Sequence, residues 1–150
     1  MRKIAVLTRD CGGVNAAIRA VVRTAADRGF AVEGVMRGYE GLMRGDLIPL
    51  DRRSVSNIIG LGGTILKTAR SEAFLTEEGQ RAGLANLRIR GIDGLVVIGG
   101  NGSLAGARVL AERYVFPVVG VPATIDNDVA GVANAIGADT AVNVALDALD

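Results

Sequence analysis

Leu95-Val96-Val97-Ile98 is an unbroken apolar run, and it ends on Gly99-Gly100-Asn101-Gly102-Ser103. A strand that is apolar on both faces must be covered on both faces, as a central strand is in a parallel sheet flanked by helices. Ile4–Leu7, Phe30–Met36, Leu47–Leu50 and Val118–Val121 read as further strands, with helical spacing between most of them. Ala16, Ala17, Ala20, Val21 and Ala25 mark one helix, closed by Gly29. Thr76 caps a second, with Glu77 and Glu78 in its first turn, that extends to Arg90. A third starts at Ser103, and Asp139 or Thr140 opens a last one that is still in progress at Asp150. A short helix is predicted over Ser54–Leu61, leading into Gly62-Gly63. This alternation predicts an α/β domain, doubly wound, with a largely parallel sheet and helices on both faces.

Composition narrows the chemistry. The chain has 150 residues, one domain's worth, and contains no His, which excludes Ser-His-Asp and Cys-His nucleophiles and His-ligated metals. Its one cysteine, Cys11, excludes an internal disulfide and a Cys-clustered zinc site, as in a reduced, cytoplasmic protein. A net charge of +1 provides no electrostatic basis for binding nucleic acid or an acidic membrane. The apolar stretch Ile4–Leu7 is too short for a signal peptide, and Val129–Leu149 is interrupted by Asn134, Asp139, Asn143 and Asp147, so no membrane span is expected.

Ligands of open α/β sheets gather at the carboxyl ends of the strands. Three turns fall there. Thr8–Asn15 passes from strand through Gly12-Gly13 into a helix, where free N–H groups suit a phosphate or the glycines simply make a tight turn. Gly99–Ser103 has three glycines in five residues and a hydroxyl that can donate. It suits phosphate oxygens, or else a helix cap with close helix–sheet packing. Pro122–Asp128 contains Thr124-Ile125-Asp126-Asn127-Asp128. Two carboxylates two residues apart can divide labour, one accepting a proton from a hydroxyl and the other facing Mg²⁺; the alternative is a solvated acidic turn or an Asx turn at Asn127. Beside two phosphate-type loops, the pair points to phosphoryl transfer. Arg70, after Gly63–Ala69, adds an always-ionised fork suited to a γ-phosphate, although a lone arginine is more often merely solvated.

Taken in order, these segments resemble the N-terminal half of the ATP-dependent bacterial 6-phosphofructokinases. The resemblance runs from Lys3 to Asp150 and is carried by Asn15-Ala16-Ala17-Ile18-Arg19, Gly38-Tyr39-Glu40-Gly41-Leu42, Gly62-Gly63-Thr64 with Ala69-Arg70, Gly99–Ser103, Thr124–Asp128 and Asp139-Thr140-Ala141-Val142-Asn143. It implies a Rossmann-like fold and transfer of the ATP γ-phosphate to the 1-hydroxyl of fructose 6-phosphate, giving fructose 1,6-bisphosphate in glycolysis, with Mg²⁺ as cofactor. It gives Asp126 the role of proton acceptor, with Thr124 and Ile125 beside it at the substrate. Arg70 steadies the transferring phosphate, next to Ser71. Tyr39 lies near the adenine, Gly100, Asn101, Gly102 and Ser103 form the ATP phosphate loop, and Asn101 and Asp128 lie at the metal. Arg19, Arg23 and Arg52 match an effector site for ADP or phosphoenolpyruvate between subunits of a homo-oligomer, a tetramer in the family. Pyrophosphate-using relatives carry an acid at the position of Gly102 and a lysine at that of Ala123, so this chain is matched to ATP.

Residues 1–150 then correspond to the ATP-binding part, and the sugar-phosphate-binding half lies outside this sequence. Two departures bear on the site. The first loop, Thr8 to Asn15, is two residues shorter than is usual in the family, with Gly12 in place of proline and Arg9 crowding the phosphate position. Asn101 stands where the family has a metal-binding Asp, and an amide oxygen without charge weakens Mg²⁺. A non-catalytic nucleotide-binding or regulatory half-subunit is the alternative reading. A dinucleotide dehydrogenase is disfavoured because no GxGxxG follows the first strand.

Overall fold

The computed structural model describes residues 1–149. Its elements run β1 (Lys3–Thr8), α1 (Val14–Asp27), β2 (Ala31–Val35), α2 (Gly38–Arg44), β3 (Leu47–Leu50), a 3-10 turn (Ala73–Leu75), α3 (Glu77–Ile89), β4 (Gly94–Gly99), α4 (Asn101–Tyr114), β5 (Val118–Pro122) and α5 (Ala138–Leu149). The five strands form one sheet in the order β3-β2-β1-β4-β5. All pairings are parallel except that of β3, which runs antiparallel to β2 at the edge.

Strand periodicity divides the core in two. Ala5, Leu7, Leu95 and Val97 face a layer containing Leu42 of α2, Leu84 and Leu87 of α3, and Leu110 of α4. Val6, Val32 and Ile98 face the other way, onto Val14, Ile18 and Val22 of α1 and onto Val55, Ile58 and Leu66. Helices thus cover both faces of a largely parallel sheet, which is why β1 and β4 are apolar at nearly every position. Helix ends follow the expected local chemistry. Gly29 takes φ 74° just after α1, and the Thr76 hydroxyl accepts from the Gly79 N–H at 3.1 Å to cap α3. Among the described residues no helix is long and apolar enough to cross a membrane.

The predicted helix over Ser54–Leu61 is instead a succession of turns. Val55 and Ile58 are both buried, and their spacing of three residues produced the helical pattern. What interrupts it is Asn57 at φ 58°, in the left-handed region. Upstream, the Asp51 carboxylate accepts from Ser54 N at 2.8 Å, Ser54 Oγ at 2.9 Å and Arg53 N at 2.9 Å. These bonds, those from Ser54 first, hold the Asp51 carboxyl below its ordinary pKa. The short α2, which lies between Gly38 and Gly45, carries no periodicity long enough to read from sequence. Helix α4 begins two residues earlier than expected, at Asn101. The expected continuation of α5 into Asp150 lies outside the described residues.

Leu110 of α4 is fully buried. Leu110→Ala should lower the unfolding free energy of the full-length protein by about 2–5 kcal/mol, through lost transfer energy and the cavity left behind. Urea denaturation checks this.

Candidate active site

Strand order reverses beside β1, whose chain continues to β2 on one side while β4 lies on the other. A crevice at such a switch point opens at the carboxyl ends of the strands. Thr8, Arg9 and Asp10 reach it from β1, Gly38 and Tyr39 from β2, Gly100–Ser103 from β4, and Ala123, Thr124, Ile125, Asp126 and Asp128 from β5. Together with Ala69–Glu72 and Leu75 they line a cleft of about 620 Å³. Every residue expected at the nucleotide, the substrate or the metal therefore borders one space.

Arg19, Arg23 and Arg52 do not. Arg19 and Arg23 lie one turn apart on α1, where Arg19 Nη1 donates to the Val55 carbonyl at 2.7 Å. Arg52 is paired with Asp27, a further turn along α1. None of the three lines the cleft.

The first Gly turn, read as a phosphate site, also divides. Thr8, Arg9 and Asp10 border the cleft, but Gly12 and Gly13 do not. A Cβ on Gly12 would meet Thr140 at 3.0 Å, and one on Gly13 would meet Ile136 at 2.9 Å. Ile136 and the start of α5 therefore occupy the space before α1, which favours the tight-turn alternative for Gly12-Gly13. Cys11 is buried in the same contact, its thiol donating to the Ile136 carbonyl at 3.4 Å. Burial, and then the charge of Asp10, push the thiol pKa up, so Cys11 is not a ready nucleophile.

The second turn opens on the cleft. Helix α4 starts in the cleft with no side-chain cap and no acidic residue in its first turn, so its N–H groups and dipole are directed at the open space. Tyr39 fixes this end. Its ring stacks on Phe74 at 4.1 Å between centroids, and its hydroxyl donates to the Ser103 carbonyl at 2.6 Å. Burial raises the Tyr39 pKa, which keeps the phenol a donor. Ser71 donates to Glu40 Oε2 at 3.1 Å, tying the Arg70 loop to α2.

Charge in the cleft is uneven, with Asp10, Glu72, Asp126 and Asp128 facing Arg9 and Arg70. A polyphosphate entering here needs a cation to offset the carboxylates. Asn101 lies against Asp128, its amide nitrogen donating to the Asp128 carbonyl at 3.3 Å, which leaves the amide oxygen as a neutral ligand. Among the described residues no three acidic, Cys or His side chains converge as a closed metal cage. That donor set fits Mg²⁺, which takes one or two carboxylates and completes its shell with phosphate oxygens and water.

A family model described as phosphofructokinase matches residues 3–150. The chain belongs to the phosphofructokinase family. The ATP-dependent 6-phosphofructokinase of Clostridium tetani is 57% identical over 152 residues, covering all of this chain and 47% of that protein. ATP-dependent 6-phosphofructokinase 1 of Thermus thermophilus is 55% identical over 152 residues, with the same coverage of 100% and 47%. The chain spans about half the length of these curated relatives. A phosphofructokinase structure from Saccharomyces cerevisiae superposes with a TM-score of 0.88 at 39% identity, covering all of this chain and 24% of that one.

Sequence reasoning did not identify Asn15 as a brace. Fully enclosed in α1, it accepts from Ile65 N at 2.8 Å and donates to Leu61 O at 3.1 Å, holding the Gly62–Thr64 loop that leads to Arg70. Thr8 and Thr64 share a further hydroxyl–hydroxyl bond at 2.8 Å. The only signal was a polar residue on an otherwise apolar helix face. Asn15→Ala leaves the Ile65 N–H unpaired and should cost about 1–3 kcal/mol. Urea denaturation measures that cost, and faster amide exchange over residues 61–66 should accompany it.

Proposed function

We propose that the protein to which this chain belongs transfers the γ-phosphate of ATP to the 1-hydroxyl of fructose 6-phosphate, and that residues 1–150 are its nucleotide-binding part. The observation that carries the reading is the meeting of an uncapped helix N-terminus, Arg70 and the Asp126/Asp128 pair in one cleft at the switch point of the sheet. In this reading the α4 amides and Arg70 hold the transferring phosphate, with Ser71 beside it and Tyr39 towards the adenine. Asp126 accepts the proton of the sugar hydroxyl as its oxygen bonds to phosphorus and the bond to the ADP oxygen breaks. Thr124 and Ile125 border the sugar. Asp128 and Asn101 would hold Mg²⁺, which supplies charge neutralisation on the phosphate oxygens when bound.

Gly102 and Ala123 support ATP over pyrophosphate, because pyrophosphate-using members of the family carry an acid and a lysine at these positions. The remaining half of the enzyme supplies the sugar-phosphate clamp. Arg19, Arg23 and Arg52 then serve an effector at a subunit boundary of a homo-oligomer, in the cytoplasm.

The test is a coupled assay of the full-length gene product with ATP, Mg²⁺ and fructose 6-phosphate. Turnover that is lost on chelation supports the reading; no phosphorylation of fructose 6-phosphate overturns it. Asp126→Asn should lower kcat by about 10²–10⁴-fold while calorimetry still detects nucleotide binding. Asn101→Asp exchanges one exposed hydrogen bond for a charged ligand, and charge is the larger effect at a dication. It should lower the Mg²⁺ concentration that supports half-maximal rate.

A further inference from the structure

Asn127 stands between the two carboxylates of the acidic turn but does not border the cleft. It adopts φ 49°, a left-handed conformation that asparagine tolerates better than most side chains. An Asx turn would bond to the adjacent backbone. Asn127 instead reaches across the loop, its Oδ1 accepting from Ala135 N at 2.9 Å and its Nδ2 donating to Ala133 O at 3.1 Å.

The same loop is closed at its neck. Ala123 and Ile136 form an isolated parallel bridge, Thr124 N donates to Ile136 O at 2.9 Å, and Ile136 N donates to Pro122 O at 3.0 Å. Residues 122–136 are therefore pinned twice, by backbone at the neck and by the Asn127 side chain at the tip. Asp126 and Asp128 flank the second pin. Among the described residues neither carboxylate takes part in a salt bridge. Their placement is therefore set by the backbone that carries them. Asp126 N donates to Thr124 Oγ1 at 3.2 Å and the Asp128 carbonyl accepts from Asn101 at 3.3 Å, while Asn127 alone, among the described residues, ties the turn between them to residues 133–135 with two bonds.

We propose that Asn127 is a positioning residue for the phosphoryl-transfer site, fixing the left-handed turn between Asp126 and Asp128 and pinning it to residues 133–135 so that both carboxylates face the cleft. The proposal rests on the kinase reading above. Reacting groups must be held near attack geometry, and small displacements are costly in rate rather than in affinity.

The experiment compares the full-length parent with Asn127→Gly, which keeps the backbone free to take positive φ but deletes both side-chain bonds, and with Asn127→Ala, which also adds backbone strain. Asn127→Gly should lower kcat about 10²-fold while the KM for ATP moves by less than about threefold. Asn127→Ala should lose at least as much. A merely structural role predicts a lower Tm with kcat per folded molecule within about threefold of the parent, and that result overturns the proposal. Hydrogen exchange on the unsubstituted protein provides a check that needs no variant. The Ala135 amide should be protected, and exchange as fast as in an unstructured peptide overturns the clamp. A parent that does not phosphorylate fructose 6-phosphate overturns the kinase reading itself, so the two failures are told apart by the parent alone.

Discussion

β1 and β4 lie side by side at the middle of the sheet, paired in parallel from Ile4 opposite Gly94 to Thr8 opposite Ile98. The chain leaves β1 towards one edge and β4 towards the other, so the segments that follow them part and the carboxyl ends open into a crevice. Everything that could touch a ligand hangs from that arrangement. The amides of α4, the acidic turn after β5 and the loop after β1 converge because parallel pairing brings all their strand ends to the same edge. Pairing in parallel also requires long crossovers, and those crossovers are the helices that bury both faces of the sheet.

Polar side chains with neutral charge hold the crevice in shape. Asn15 links α1 to the loop before Arg70, Thr8 meets Thr64, and Tyr39 links α2 to the first turn of α4. Among the described residues no buried side-chain nitrogen or oxygen lacks a partner. Each such bond contributes about 0.5–1.5 kcal/mol net, but losing one partner strands the other away from water, which costs more. These braces therefore specify one arrangement of the loops more than they add stability.

Outside the cleft, two glutamates are each held by two cations. Glu33 bonds to Lys3 and Arg90 at 3.1 and 3.0 Å near the start of β1. Glu77 bonds to Arg81 and Arg113, which together draw its pKa down. In the cleft, Asp126 and Asp128 have no such cation. Unpaired carboxylates beside a helix N-terminus and Arg70 put both signs of charge on one cleft, which is the electrostatic ground of the proposed phosphoryl transfer.

The sequence by itself determined the α/β class, the five strands, α1, α3, α4 and α5, and the two turns, Gly99–Ser103 and Thr124–Asp128, that meet in the cleft. Those features depend on burial periodicity, capping and glycine placement within a few residues, and such local terms can be read along a chain. Only the tertiary structure decided that Ser54–Leu61 is a run of turns. It also decided that Gly12-Gly13 packs against Ile136 and Thr140. The same holds for the brace from Asn15 to Ile65, fifty positions apart. Each of these outcomes depends on a contact between distant segments, whose energy exists only once the sheet has brought them together.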